Sequence, residues 1–150
     1  MKTVLVTGGS GFIAMHVIEQ LWRKGYAVKT TVRNKKRAEE LQDFAKAHHK
    51  NLSIVQADLC QEKGWEEATK GVAAVLHVAS PFPNAPVNDE AILVKPALEG
   101  TKRVFRHCDK NRVKKVVVVS SIAAVAFGRA DKKRFSSEDW SNVTGGVDAY

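Results

Sequence analysis

With 150 residues, 44% of them hydrophobic and 27% charged, the chain has the size and composition of one soluble domain with a sizeable core. No uninterrupted apolar run is long enough to cross a bilayer, and the first residues already read as a strand, so neither a membrane span nor a cleaved signal peptide is expected. The net charge of +8 raises nucleic acid as a partner, but the cations are scattered over Arg33–Arg37, Lys110–Lys115 and Arg129–Arg134 without stacking aromatics, which argues against it. Cys60 and Cys108 lack CxxC or metal-ligand spacing. No metal site is expected, and two buried or idle thiols fit a reducing, cytoplasmic setting.

Strands and helices alternate along the chain. Lys2–Thr7 is apolar and predicts a first strand. Phe12–Arg23 predicts a helix, with Ile13, Val17 and Leu21 on one face, Ala14, Ile18 and Trp22 beside them, and Gly25 to close it. Tyr26–Val32 reads as a second strand and Lys35–His48 as a helix aligning Ala38, Leu41, Ala45 and His48. Leu52–Gln56 is a short third strand, followed by a short helix over Glu62–Lys70 that ends at Gly71. Ala73–Val78 is a continuous apolar fourth strand. A longer helix runs from about Asp89 to Lys110, in which Pro96 either makes a kink or marks a restart. Lys114–Val119 is the fifth strand, and the remainder reads as a loop with Gly128, Gly145 and Gly146. This order predicts an α/β, Rossmann-type doubly wound parallel sheet, truncated after about five strands and covered on both faces.

The junction Val4-Leu5-Val6-Thr7-Gly8-Gly9-Ser10-Gly11-Phe12-Ile13-Ala14 carries the first chemical signal. A strand that turns tightly into a helix leaves backbone N–H groups and the positive end of the helix dipole bare, which suits a pyrophosphate. Gly8 allows the sharp turn, Gly11 lets a phosphate approach the backbone, and Ala14 keeps the helix close to the strand. Glycine turns without a ligand end many strands. Here, however, the turn lies at the carboxyl end of the first strand, where a doubly wound sheet binds its ligand.

A second signal follows the second strand, where a dinucleotide site usually places an acid on the ribose hydroxyls. The chain reads Thr31-Val32-Arg33-Asn34-Lys35-Lys36-Arg37 instead. A guanidinium binds a 2′-phosphate bidentately and stacks on adenine, so Arg33 points to NADP(H), with Arg37 or Lys36 in support. A solvated cationic helix start accounts equally well for Lys35 and Lys36.

These motifs, together with Asp58-Leu59, Val75-Leu76-His77-Val78-Ala79-Ser80-Pro81, Pro96-Ala97-Leu98-Glu99-Gly100-Thr101 and Val117-Val118-Val119-Ser120-Ser121, resemble an extended short-chain dehydrogenase/reductase of the dihydroflavonol-reductase-like branch, within the epimerase/dehydratase superfamily. The resemblance runs the whole length. It implies that the turn residues Gly8, Gly11, Phe12 and Ile13 cradle the cofactor, that Asp58 bonds the adenine amino group with Leu59 flanking the ring, and that Val78, Ala79 and Ser80 pack along the nicotinamide ribose. Asp58 also fits a loop or helix-capping aspartate. His77 reads as a packed core histidine rather than a base.

The same resemblance implies Ser121 as the catalytic serine and Tyr150 as the catalytic acid, with a lysine one helical turn later that would lower a tyrosine pKa of ~10. No residue follows Tyr150 here. The expectation is therefore an N-terminal part of a longer enzyme, in which residues 1–150 form the NADP-binding domain and do not turn over alone. The implied reaction is reduction of an aldehyde or ketone. Pro81, Phe82, Pro83, Ile122, Val125 and Phe127 suggest a small hydrophobic carbonyl substrate, although plain packing explains them equally well. Ala126 stands where flavonoid reductases carry Asn or Asp, which argues against a flavonoid. A sugar-nucleotide epimerase or dehydratase, or a non-catalytic dinucleotide sensor of the same fold, remains an alternative, as do monomer and homodimer.

Overall fold

In the computed structural model, which describes residues 1–81, 90–131 and 133–144, five short segments pair as parallel strands. They are β1 (Thr3–Val6), β2 (Ala27–Val32), β3 (Leu52–Gln56), β4 (Ala74–His77) and β5 (Val116–Val118), in the spatial order β3-β2-β1-β4-β5. The connections are α1 (Phe12–Arg23), α2 (Lys35–Ala47), α3 (Trp65–Thr69) and α4 (Glu90–Lys110). Residues Met1–Val118 form one compact unit, which holds the sheet, and 119–150 form a second.

Strand alternation sends neighbouring β1 residues to opposite layers. Leu5 packs with Val75, Trp65, Ala68, Val104 and Cys108 on the α3–α4 side, whereas Val6 packs with Ala14, Ile18, Trp22 and Ala45 on the α1–α2 side. One tryptophan thus anchors each layer, and both are buried, while Trp140 in the second unit is 74% exposed. Burial pushes the Cys108 thiol up to about 11, which leaves it inert. Cys60 is exposed rather than buried.

Three expectations are corrected. The third helix starts at Trp65 instead of Glu62, because Gly64 takes a left-handed φ of +92° and passes so close to the Gln56 carbonyl that a Cβ there would lie 2.1 Å from its oxygen. A short helix, α5 (Ala123–Ala126), occupies part of what reads as a loop. Cover is incomplete at the edge strand: Val117 and Val118 of β5 are exposed, whereas His77, the register partner of Val118 on β4, is buried. Pro96 lies inside α4 and the helix continues through it, so it does not mark a restart.

Gly9 has no room for a side chain, since an added Cβ would sit 2.2 Å from Thr30 Oγ1. Gly25, at φ +76°, has nothing within 4 Å of that position. Gly9→Ala is therefore expected to cost about 3 kcal/mol, at the upper end of overpacking penalties, and Gly25→Ala about 1 kcal/mol from backbone conformation alone. Urea denaturation of both variants checks this; equal losses would contradict the packing argument.

Candidate functional site

The end of β1 is built as a knot of backbone bonds. Gly8 adopts φ +70°, open to glycine with little strain, and its N–H donates to Thr31 Oγ1 at 3.0 Å. Gly9 N–H donates to the Thr31 carbonyl at 2.9 Å, and Gly11 N–H closes the turn on the Gly8 carbonyl at 2.9 Å. No side chain caps α1 at Gly11. Among the described residues the Phe12 and Ile13 N–H groups have no protein acceptor, so the first turn of α1 presents bare donors. An added Cβ on Gly11 would meet only the Gly8 carbonyl oxygen, at 3.2 Å, so that side of the turn is open. The arrangement suits an anion of phosphate type.

Two neighbouring strands close on this turn. On the β4 side, Thr7 Oγ1 accepts from the Val78 and Ala79 N–H groups, each at 3.0 Å, and lies 2.9 Å from His77 Nδ1. Ala79 comes so near that a Cβ on Gly8 would lie 2.9 Å from its own. On the β2 side, Arg33 is exposed and its carbonyl accepts from Gln56 Nε2 at 3.0 Å. Asn34 caps α2 by accepting from Arg37 N–H at 3.1 Å, and the Arg37 guanidinium is turned toward Glu40 at 2.7 Å. Arg33, Gly8, Gly11, Phe12, Ile13, Val78 and Ala79 are thus gathered at one end of the sheet. Arg37 stands beside them with its charge shared.

Asp58 and Leu59 follow β3 at the same end. Asp58 Oδ1 accepts from Cys60 N–H at 2.8 Å, the loop-aspartate role, and Trp65 Nε1 holds the Asp58 carbonyl at 2.8 Å. The Leu59 side chain is 7% exposed and turned into the core, where a Cβ on Gly100 of α4 would lie 2.8 Å from its Cβ. Arg103 of α4 bonds the Leu59 carbonyl and the Glu62 carboxylate. Bonds from Arg103 and then His107 hold the Glu62 carboxyl below the usual carboxylate range.

In the second unit Ser121 is exposed, and its Oγ accepts from Ala123 N–H at 3.2 Å at the start of α5. Ser141 ties that unit together by donating to the Ala123 carbonyl and accepting from Phe127 N–H. Tyr150, Phe82 and Pro83 lie outside the described residues. No group of three or more potential metal ligands occurs among the described residues, and none of their helices is long and apolar enough to cross a membrane.

The family profile described as 3-beta hydroxysteroid dehydrogenase/isomerase matches residues 5–150. The chain belongs to this family. Among its relatives, an anthocyanidin reductase of Vitis vinifera is 38% identical over 148 residues, covering 95% of this chain and 43% of the relative. Dihydroflavonol 4-reductase of Callistephus chinensis is 36% identical over 145 residues, covering 94% and 40%. Yeast methylglyoxal/isovaleraldehyde reductase complexed with NADPH superposes with a TM-score of 0.80 at 29% identity, over 93% of this chain and 44% of that one. Vestitone reductase from alfalfa gives 0.78 at 31% identity, over 96% and 44%. The chain spans about two fifths of the length of the curated relatives it matches. The dihydroflavonol-reductase-like resemblance and the Rossmann-type sheet both hold.

Motif reading missed several residues of this site: Gly9, the Thr7–His77 pair, Gln56 and Arg103. The doubled glycine was a usable sign for Gly9. Nothing local marks Gln56 or Arg103, which act across strand and helix partners.

His77 is buried, and burial pushes its pKa below the usual histidine value. The unfolded chain takes up this proton near pH ~6.5 and the folded chain only at lower pH. Unfolding then binds a proton, so stability is full above pH ~6.5 and is lost as pH falls below it. The urea midpoint is expected to drop between pH 6.5 and 5, and His77→Asn to flatten that slope by up to about 1.4 kcal/mol per pH unit. An unchanged slope in the variant would show that His77 is not the titrating group.

Proposed function

We propose that this chain carries the NADPH-binding half of a carbonyl reductase. The observation that carries the reading is the cation at the end of β2. Arg33 is exposed beside the bare N-terminus of α1, with its backbone held by Gln56, at the position where an NAD site would set an acid. The residues fit the dinucleotide. The first turn of α1 offers N–H donors to a pyrophosphate, the open side of Gly11 admits it, and Arg33 offers a bidentate fork to a 2′-phosphate. The NADPH complex of the yeast relative supports the same choice.

In this reading Asp58, with one carboxylate oxygen taken up by Cys60 N–H, offers the other to an adenine amino group, and Val78, Ala79 and Ser80 border the nicotinamide ribose. When bound, the cofactor supplies a hydride. Ser121 orients the carbonyl oxygen of the substrate by a hydrogen bond, and Tyr150 gives that oxygen its proton. The substrate class is a small hydrophobic aldehyde or ketone, in keeping with the methylglyoxal and isovaleraldehyde named for the yeast relative.

Calorimetric titration of the chain with NADPH and NADH tests the cofactor half. Arg33→Ala is expected to weaken NADPH by about 10- to 100-fold, the worth of a charge-assisted phosphate contact, and to leave NADH nearly unchanged. Equal losses for both dinucleotides would overturn the assignment.

A further inference from the structure

The bonds around Thr7 decide the state of His77. A threonine hydroxyl has one proton and two lone pairs. Thr7 is fully buried, and its Oγ1 accepts from both Val78 N–H and Ala79 N–H at 3.0 Å, which uses the two lone pairs. Its single proton must then go to His77 Nδ1, 2.9 Å away. His77 Nδ1 is thereby an acceptor, and the ring proton sits on Nε2, which faces Thr101 Oγ1 of α4 at 3.4 Å. The opposite tautomer would ask Thr7 to accept three N–H bonds and would strand its own proton in a buried site.

We propose that His77 is a positioning residue for the cofactor-binding turn: by accepting the Thr7 proton through Nδ1, it commits both Thr7 lone pairs to the backbone of Val78 and Ala79. The consequence reaches Gly8, because the 78–79 segment is the wall that leaves no space for a side chain on that glycine. If Thr7 rotates to find another acceptor, the two N–H groups lose theirs and the wall moves. The significance of that wall for NADPH rests on the function proposed above; the hydrogen-bond arithmetic does not.

The δ and ε positions of the ring can be separated by substitution. His77→Asn keeps an acceptor oxygen near the Nδ1 position, whereas His77→Gln places its polar atoms near Nε2. His77→Gln is expected to bind NADPH about 5- to 50-fold more weakly than His77→Asn, the effect of one unsatisfied buried group. Amide hydrogen exchange at Val78 and Ala79 should be faster in the Gln variant than in the Asn variant. Thr7→Val should speed it likewise, and Thr7→Ser should restore it. Nitrogen-15 NMR of the unmodified chain should find Nδ1 as the unprotonated nitrogen, a readout that needs no variant to fold.

A protonated Nδ1 at neutral pH, or equal exchange and binding in the Asn and Gln variants, would overturn the proposal. Failure of the unmodified chain to bind NADPH would instead overturn the function reading. The tautomer and the exchange rates would then still judge His77.

Discussion

Between β2 and β4 there is no room for a side chain where β1 ends. A Cβ on Gly9 would strike Thr30 of β2, and a Cβ on Gly8 would press on Ala79 beyond β4. The backbone therefore passes through the gap bare and is fastened on both sides, by Thr31 from β2 and by Thr7 to the 78–79 segment. The anion-binding turn and the placement of the two strand ends beside it follow from that narrow passage. The first turn of α1 begins directly after it, with donors that no side chain caps, and the ends of β2 and β4 are held within reach because they form the walls.

The loop after β3 is positioned by a different route, from the helix layer rather than from the sheet. Gly100 lets α4 approach Leu59, and Arg103 on the following turn bonds the Leu59 carbonyl while pairing with Glu62. Exposed ion pairs contribute little to stability, but this guanidinium is largely covered and also satisfies a backbone carbonyl. Its role is better described as fixing where the loop lies than as strengthening the fold. Trp65 completes the attachment from below through its indole N–H.

How much of this could be read beforehand depends on where the determining contact lies along the chain. Helix Phe12–Arg23 and strand Leu52–Gln56 were legible to the residue, because apolar spacing and flanking turn residues state them locally. The late start of α3 was not, since Gly64 answers to the Gln56 carbonyl across a turn. Ile122 to Ala126 is too short and too uniformly apolar for periodicity to choose between strand, helix and loop. The same division runs through the site. Gly8, Gly11 and Arg33 stand in a local pattern with a known chemical purpose. Gly9, Gln56 and His77 owe their roles to strand register: Val6 lies opposite Thr30, Val32 opposite Gln56, and Leu76, the residue before His77, opposite Val6.

The placement of the tryptophans has an optical consequence. Trp22 and Trp65 sit in the two apolar layers on opposite faces of the sheet, each nearly sealed from water, while Trp140 is open to it in the second unit. Indole emission shifts to the red when water reaches the ring, so each tryptophan reports on its own region. Single-tryptophan versions of this chain would thus carry a native dye in the α1–α2 layer, in the α3–α4 layer or on the second unit. The order in which the two layers and the second unit unfold could be followed by colour alone.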